Sequence, residues 1–308
     1  MVGVFRRSLS FPAKINPSRS LKPEISQHIR SVSLLVRSHP LFSQLGNDVS
    51  DLRSQWLSGG GAVRTLDWIL DGLRRLRDVH ECLSEILCLP QTQDCLRNRC
   101  EEDSLAENLL EDLLRFVDVF GTFRTSILAL REHQAESQAA LRRRDETKIA
   151  MYLKARRRIA KEIAGLSASV RRCTKLECHV ITVESSLSYA EAELAAVITE
   201  VMEATAVISL ALFNGVNSAL GCSKTASCGA GLLRRGRNVR VEEGIEELKG
   251  IRGESLSGLR KMKNEDVRVV LRKMRELEEG ILGIEIASEK VFRSLINTRV
   301  SLLNLLTK

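Results

Sequence analysis

Cysteine and histidine are the residues of this chain whose side chains could hold a metal ion. The 308-residue sequence has eight cysteines in four loose pairs, with four or five residues between partners, and five scattered histidines. Structural zinc ligands are usually separated by about two to four residues. Only Cys173, Cys178 and His179 come near a ligand cluster, and a helix would turn the two cysteines to different sides. We therefore expect no metal site, and reduced thiols in a chain with no secretory leader.

Catalytic signatures are missing from the sequence. It has no G-x-x-x-x-G-K-[ST] phosphate loop, no G-x-S-x-G nucleophile elbow and no Cys/His pair at an instructive spacing. Catalytic triads are not local in sequence, so an enzyme stays as the least favoured alternative. The sequence predicts a non-catalytic protein with no catalytic residues and no cofactor.

Basic residues are concentrated in one stretch, residues 142–175. This stretch contains twelve basic and three acidic residues, so its net charge is +9. The net charge of the whole chain is +8. Such a surface could bind phosphoinositide headgroups, nucleic acid or an acidic protein. Nucleic acid is the least favoured of these, because Tyr152 is the only aromatic residue among the charges. The candidate anion-binding residues are Arg142, Arg143, Arg144, Lys154, Arg157, Arg158 and Lys161.

An opposing interpretation is a solvated or internally paired face. Residues 101–118 carry seven acids against Arg115 alone, and could neutralise part of the charge across a hairpin. A separate feature is the pair of serines Ser10 and Ser33, each of which has an arginine three positions earlier. Both are candidate phosphorylation sites, and an arginine-rich partner could bind the added phosphate.

The apolar residues that would position these side chains recur every three or four positions, which predicts helices. The first run starts at Val63, has His80 in one slot and ends before Pro90. The second runs from Leu105 to Leu141, interrupted by Gln134 and Ser137, and the third continues to Cys173, with Arg156 as its polar intruder. Runs two and three should form an antiparallel hairpin that turns at residues 144–146.

The most apolar segment, residues 194–213, raises the question of a membrane span. Glu200 and Glu203 oppose it, because an acid at the centre of a spanning helix costs roughly 2.5 to 3.5 kcal/mol. We expect a helix buried inside a bundle and no transmembrane span. Residues 214–238, rich in Gly, Ser and Cys, predict a loop or disordered insertion. A last helix follows from Val267, with Gly280 and Gly283 as a weak point or kink.

The fold class that follows is all-α. With 44% hydrophobic and 4% aromatic residues, and all five prolines before residue 91, the chain fits neither wholesale disorder nor a large β fold. We expect an elongated bundle of about six helices as one domain, residues 28–308, after a disordered basic tail, residues 1–27. The acid-free start of this tail fits a cytoplasmic tail and, as an alternative, a plastid transit peptide.

Several strings along the chain carry a family resemblance. They are HIRSVSLLVRSHPL (residues 28–41), ECLSEILCLPQTQDCL (81–96), LLRFVDVFGTFRTSILALREH (113–133), AALRRRD (139–145) and FRSLINTRVSLLNLL (292–306). Together they resemble a plant-specific domain-of-unknown-function family related to the BYPASS-type regulators of shoot and root development. Two departures are Leu34-Leu35, where the family commonly has Leu-Pro, and Phe120-Gly121, where it has Cys-Gly. The resemblance implies a helical plant protein with a developmental role and supplies no catalytic residues.

Two functional hypotheses remain ahead of the enzyme. The first is a regulatory or scaffold protein that binds unidentified protein partners through its helical faces. The second is a cytoplasmic, membrane-associated protein held on anionic lipid by its basic helix.

Overall fold

A computed structural model describes residues 39–58, 65–97, 105–176, 189–220, 245, 248 and 262–307. These residues form seven helices: α1 (Pro40–Ser58), α2 (Leu66–Leu87), α3 (Pro90–Arg97), α4 (Leu105–Arg143), α5 (Glu146–Leu176), α6 (Tyr189–Leu220) and α7 (Asn264–Leu306). No strand occurs within these ranges. The all-α class is confirmed. The tail, residues 1–27, and both candidate phosphorylation sites, Ser10 and Ser33, lie outside the described residues.

The helix boundaries follow local signals in the sequence. Thr65 precedes α2, and its side-chain oxygen accepts a hydrogen bond from the Trp68 backbone N–H at 3.3 Å, which caps the first turn. Helix α2 ends at Leu87, as Pro90 predicted, and Pro90 itself opens the short helix α3, where its missing N–H costs nothing. The prediction contained neither α1 nor α3 as separate helices.

Five long helices close a ring around one core. Helix α4 packs between α5 and α7, α7 packs on α2, α2 contacts α6, and α6 packs along α5. Helix α1 covers the seam between α2 and α6. Phenylalanines from α4 and α6 meet inside, with the Phe123 and Phe213 rings 4.8 Å apart and the Phe120 and Phe213 rings 5.8 Å apart. These aromatic contacts stabilise the packing of α4 against α6 inside the ring of helices.

Helix α6 is the apolar segment that raised the question of a membrane span. By length and composition alone its residues Ala192–Leu220 could cross a membrane, but 61% of its most apolar window is buried inside the bundle. Glu203 is half exposed and lies 3.4 Å from Arg53 of α1. The segment behaves as the core helix that the sequence predicted.

The predicted insertion at residues 214–238 is wrong for its first seven residues. Asn214 to Leu220 continue α6, and Val216, Ala219 and Leu220 are buried. Gly215 lies within this helix and lets Ile245 pack closely onto it, since a Cβ at this glycine would lie 2.9 Å from the Ile245 Cγ1. The packing of Ile245 therefore overrides the local Asn-Gly signal for a loop. Residues 221–238 lie outside the described residues.

Helix α7 runs without a break through Gly280 and Gly283, so the predicted weak point is a packing contact. A Cβ at Gly280 would lie 3.0 Å from the Leu248 Cδ2 and 3.2 Å from the Leu66 Cδ2. The missing side chain lets the Leu66 and Leu248 side chains approach the α7 backbone.

Candidate functional site

The hairpin between α4 and α5 holds the candidate anion-binding residues in place. Helix α4 ends at Arg143, and Arg144 adopts a left-handed backbone with φ 55°. The Asp145 N–H then donates to the Ala140 carbonyl at 2.9 Å, which closes the last turn of α4. The Asp145 carboxylate accepts from the Lys148 N–H at 3.1 Å and caps α5. The turn falls where the sequence predicted it.

The apolar stripe of α5 turns its basic residues outward. Ile149, Tyr152, Ile159, Ile163 and Val170 are buried against α4 and α6. Since residues three and four apart share a helix face, the side opposite this stripe faces solvent. We call the exposed basic residues of this side and of the adjoining hairpin end the cationic face: Arg142, Arg143, Lys148, Lys154, Arg157, Arg158 and Lys161.

The surroundings of these charges differ from residue to residue. Arg158 is 81% exposed and pairs with Glu162 of its own helix at 3.0 Å. Among the described residues, Lys154 and Lys161 have no carboxylate partner within ion-pair distance. Arg144 stands apart from the cationic face: it is partly buried, and its guanidinium donates to the Asn264 Oδ1 of α7 at 2.8 Å. We assign Arg144 a structural role at the turn.

The acid-rich start of α4 does not face the cationic residues. The Ser126 hydroxyl donates to Glu162 at 3.3 Å, and the Tyr152 hydroxyl donates to the Gln134 side chain, which fixes the register of the hairpin. In this antiparallel register the acids of α4 before residue 119, from Glu107 to Asp118, lie toward the far end of α5. Arg115 forms salt bridges within its own helix, with Glu111 at 2.6 Å and with Asp112 at 3.1 Å. The described part of this acidic stretch, residues 105–118, therefore does not neutralise residues 142–161 across the hairpin, and Glu101, Glu102 and Asp103 lie outside the described residues.

Arg156 is the one basic residue between positions 154 and 161 that points inward. It is 4% exposed, and its guanidinium donates to the Ala219 carbonyl at 3.0 Å, in the last turn of α6. Carbonyls at a helix C-terminus lack intrahelical partners and carry partial negative charge, so a buried cation is favourable there. The guanidinium also lies 5.7 Å from the centroid of the Tyr152 ring.

A buried polar network joins four helices around Arg156. Gln134 of α4 donates to the Met274 carbonyl of α7 at 3.0 Å and accepts the Tyr152 hydroxyl of α5. Burial raises the pKa of Tyr152, so its hydroxyl stays protonated and donates. Through Tyr152 and Arg156 the network reaches Ala219 of α6. The polar intruders of the apolar stripes thus act together as structural ties.

The described cysteines and histidines do not assemble a metal site. Cys82 is buried, Cys88 is exposed and Cys95 lies between. Burial, with help from the Glu85 and Asp48 carboxylates, raises the pKa of the Cys82 thiol to about 11, so it stays protonated. No group of three or more His, Cys, Asp or Glu that could hold an ion occurs within the described ranges. Cys178 and His179 lie outside those ranges.

An all-α bundle with one cationic helix at its edge is the class that this fold and site define. The family model described as Protein BPS1 matches residues 72–305, about three quarters of the chain, and the chain belongs to this family. The resemblance to BYPASS-type plant proteins is thereby confirmed, and family membership indicates a plant developmental regulator. Neither a curated protein nor a solved structure matches the chain.

Proposed function

We propose that this protein is a non-catalytic regulator of plant development, in shoot and root, that acts as a helical scaffold on an anionic membrane surface. The observation that carries the proposal is the cationic face. Its charges lie side by side on one outward surface, and the acid-rich start of α4 lies away from them. Each basic residue near anionic lipid contributes roughly 1 kcal/mol, so a cluster of this size can hold a protein at a membrane.

The position of α5 supports a lipid surface as the partner. Helix α5 packs mainly on α4 and α6, so the other described helices leave most of its outer side uncovered. Met151 lies one turn before Lys154 and is 66% exposed, which places an apolar side chain among the cations. A cationic helix face with an apolar side chain that can enter the headgroup region is typical of helices that lie along membranes. The location that follows is the cytoplasm, with a membrane-associated pool.

Scaffolding requires that other faces remain available to protein partners. On α7, Leu282 is 40% exposed and Ile286 is 50% exposed, one turn apart. Paired apolar residues at this spacing fit helix-mediated protein contacts. Family membership and the absence of catalytic motifs from the sequence support a non-catalytic role. Binding to partner proteins without any membrane contact is the second candidate function.

Charge reversal on the cationic face tests the membrane proposal. We expect wild-type protein to co-sediment with vesicles that contain phosphatidylserine at low salt and to dissociate as salt rises, because screening weakens the attraction. The variant Lys154→Glu, Arg157→Glu, Lys161→Glu should lose at least tenfold in vesicle affinity. Arg156 is left unchanged because it is buried and donates to the Ala219 carbonyl. Glu and the basic residues have similar helix propensities, so helix content should stay constant.

A matched control reverses three cations on another face. Arg268, Lys273 and Arg275 are exposed on α7, on the other side of α4 from α5, and acids such as Glu276 and Glu279 lie among them. Their replacement by Glu changes the net charge equally and should leave at least half of the binding. Equal losses of vesicle affinity in both variants would show that overall charge, and not the cationic face, determines binding. If the wild-type protein does not bind the vesicles, the membrane proposal is refuted and the protein-scaffold candidate remains.

A further inference from the structure

A groove between α5 and α6 lies beyond the cationic face and is not explained by it. Its volume is about 430 Å³, and its polar lining is Ser167, Arg171 and Arg172 from α5 with Asn214 and Asn217 from α6. Cavities of a few hundred cubic ångströms are the size that binds small organic ligands. No acidic residue is among the residues that line it.

Two residues that line this groove each have a polar atom without a hydrogen-bond partner among the described residues. These atoms are the Ser167 Oγ and the Asn214 Nδ2, both out of contact with solvent. Ser167 is 4% exposed as a whole residue. Buried polar atoms are nearly always hydrogen-bonded in native proteins, because an unsatisfied one loses its hydration without compensation. Two such atoms on residues that line one groove indicate a polar ligand that would satisfy them once their side chains rotate toward it.

The chemistry of the lining selects an anion. The Asn214 amide N–H and the Ser167 hydroxyl can both donate hydrogen bonds, and both arginines are exposed beside them. Arginine guanidinium groups bind phosphate oxygens in pairs, which combines charge with geometry. A phosphate offers enough oxygens for all of these donors at once, whereas a carboxylate offers only two. Phosphate therefore fits the donor set better.

The remaining lining gives the groove room for more than a phosphate. Ala164 and Ala168 lie one turn apart on α5 and are exposed. Their short side chains leave space beside the donors for a ring of sugar or inositol size. We propose that this groove binds a phosphate monoester on a polyol ring, with Ser167 and Asn214 donating to the phosphate and Arg171 and Arg172 neutralising its charge. The inference uses none of the residues of the cationic face.

Inositol 1,4,5-trisphosphate is a suitable soluble probe, with inorganic phosphate as the minimal one, and both can be titrated calorimetrically. We expect saturable binding of the trisphosphate that weakens at least tenfold in Ser167→Ala and in Arg172→Gln. Ala168→Leu should weaken it similarly by filling the groove without a change of charge. Because Ser167→Ala removes an unsatisfied buried hydroxyl, its thermal midpoint without ligand should not fall, which separates lost binding from lost folding.

The charge-reversal variant Lys154→Glu, Arg157→Glu, Lys161→Glu serves as the control and should keep trisphosphate binding within about threefold of wild type. At 1.5 Å per helical residue the reversed side chains lie about 15 Å or more along α5 from Arg171 and Arg172. That separation exceeds the Debye length at physiological salt, so their field at the two arginines is largely screened. The absence of saturable binding, or equal affinity in wild type, Ser167→Ala and Ala168→Leu, would overturn the proposal.

Binding experiments with vesicles distinguish a lipid headgroup from a soluble phosphorylated ligand as the natural occupant of the groove. Vesicles with phosphatidylinositol 4,5-bisphosphate are compared with phosphatidylserine vesicles of equal surface charge. A preference for the former that Ser167→Ala abolishes supports the groove as a lipid-headgroup site. Tight trisphosphate binding without such a preference supports it as a site for a soluble phosphorylated ligand. If the membrane proposal fails and no vesicle binds, the soluble titration still decides whether the groove is a phosphate site.

Discussion

His80 is a fully buried histidine whose ring joins two helices. Its Nε2 lies 2.9 Å from the Thr205 Oγ1, and that hydroxyl donates to the Val201 carbonyl at 2.7 Å, so His80 donates to Thr205. The other ring nitrogen, Nδ1, has no hydrogen-bond partner among the described residues. A proton added there would place a charge in the core without an acceptor. Burial accordingly lowers the pKa of His80 to about 4.

This buried histidine should make stability depend on pH. Between pH 6.5, where an unfolded histidine takes up a proton, and about 4, where folded His80 does, the unfolded state binds more protons. The free energy of unfolding therefore falls as the pH falls through this window, by about 1.4 kcal/mol per unit and about 3 kcal/mol in total. Above pH 6.5 the contribution of His80 is constant. Urea denaturation at a series of pH values measures it.

The variant His80→Gln isolates this contribution from that of the carboxylates. Its amide can still donate to Thr205 but does not titrate. From pH 7 to pH 4 the wild type should lose about 3 kcal/mol more unfolding free energy than the variant. A difference that stays level across this range would contradict the lowered pKa.

Single polar residues could be located from the sequence, but their partners could not. The helical spacing marks His80, Gln134, Ser137 and Arg156 as interruptions of apolar stripes, and each proves to be buried. His80, Gln134 and Arg156 bond to Thr205, Met274 and Ala219, which lie more than 60 positions away along the chain, whereas Ser137 donates to the nearby Gln134 carbonyl. Neither Ser167 nor Asn214 interrupts a recognisable pattern, because Ser167 borders the apolar stripe of α5 and Asn214 sits in a stretch typical of loops.

At the scale of helices, two glycines show why local propensity did not decide every boundary. Gly165 lies on the exposed side of α5, and a Cβ there would meet nothing within 4 Å. Gly215 lies inside α6 under Ile245, at the 2.9 Å approach described above. Both have helical backbone, so both carry the same intrinsic cost. Their packing makes them different, and sequence alone cannot tell them apart.

Alanine substitution should separate the two glycines. We expect Gly165→Ala to raise the free energy of unfolding by up to about 1 kcal/mol, because alanine is the better helix former. Gly215→Ala should give no gain and should cost about 1 kcal/mol or more, since the new methyl group displaces Ile245. Thermal and urea unfolding followed by circular dichroism measures both.

The double variant Gly215→Ala, Ile245→Ala provides the check. With Ile245 shortened, the alanine at position 215 should become neutral or favourable relative to Ile245→Ala alone. If Gly215→Ala costs the same in both backgrounds, the close approach of Ile245 does not explain why this glycine is helical.

The helix pairings of the whole molecule were only partly predictable. The hairpin of α4 and α5 follows from a short turn between two amphipathic runs, which forces antiparallel packing. The closure of the ring by α6 and α7 depends on contacts between distant segments. Salt bridges from Arg131 to Glu285 at 2.7 Å and from Arg124 to Glu289 at 2.8 Å align α4 with α7. The sequence alone could not identify these pairs, because it offers many other acidic residues as possible partners. Periodicity indicates which face is buried, not which helix covers it.

The N-terminal basic residues offer a second source of positive charge, and the whole-molecule prediction concerns which source binds the membrane. Residues 1–23 contain Arg6, Arg7, Lys14, Arg19 and Lys22. The buried apolar residues of the described core begin at Phe42. Deletion of residues 1–23 should therefore shift the thermal midpoint by no more than about 2 °C, because the described core contains none of these residues.

Vesicle binding by the shortened protein decides between the two sources. If the cationic face holds the protein on lipid, deletion of residues 1–23 should reduce affinity for phosphatidylserine vesicles by less than about tenfold, because the clustered charges on α5 remain in place. Reversal of Lys154, Arg157 and Lys161 in the shortened protein should then abolish the remaining binding. Sedimentation with the same vesicles at low and high salt measures both steps. A shortened protein that no longer binds, with its thermal midpoint unchanged, would assign the membrane contact to the N-terminal residues instead of α5.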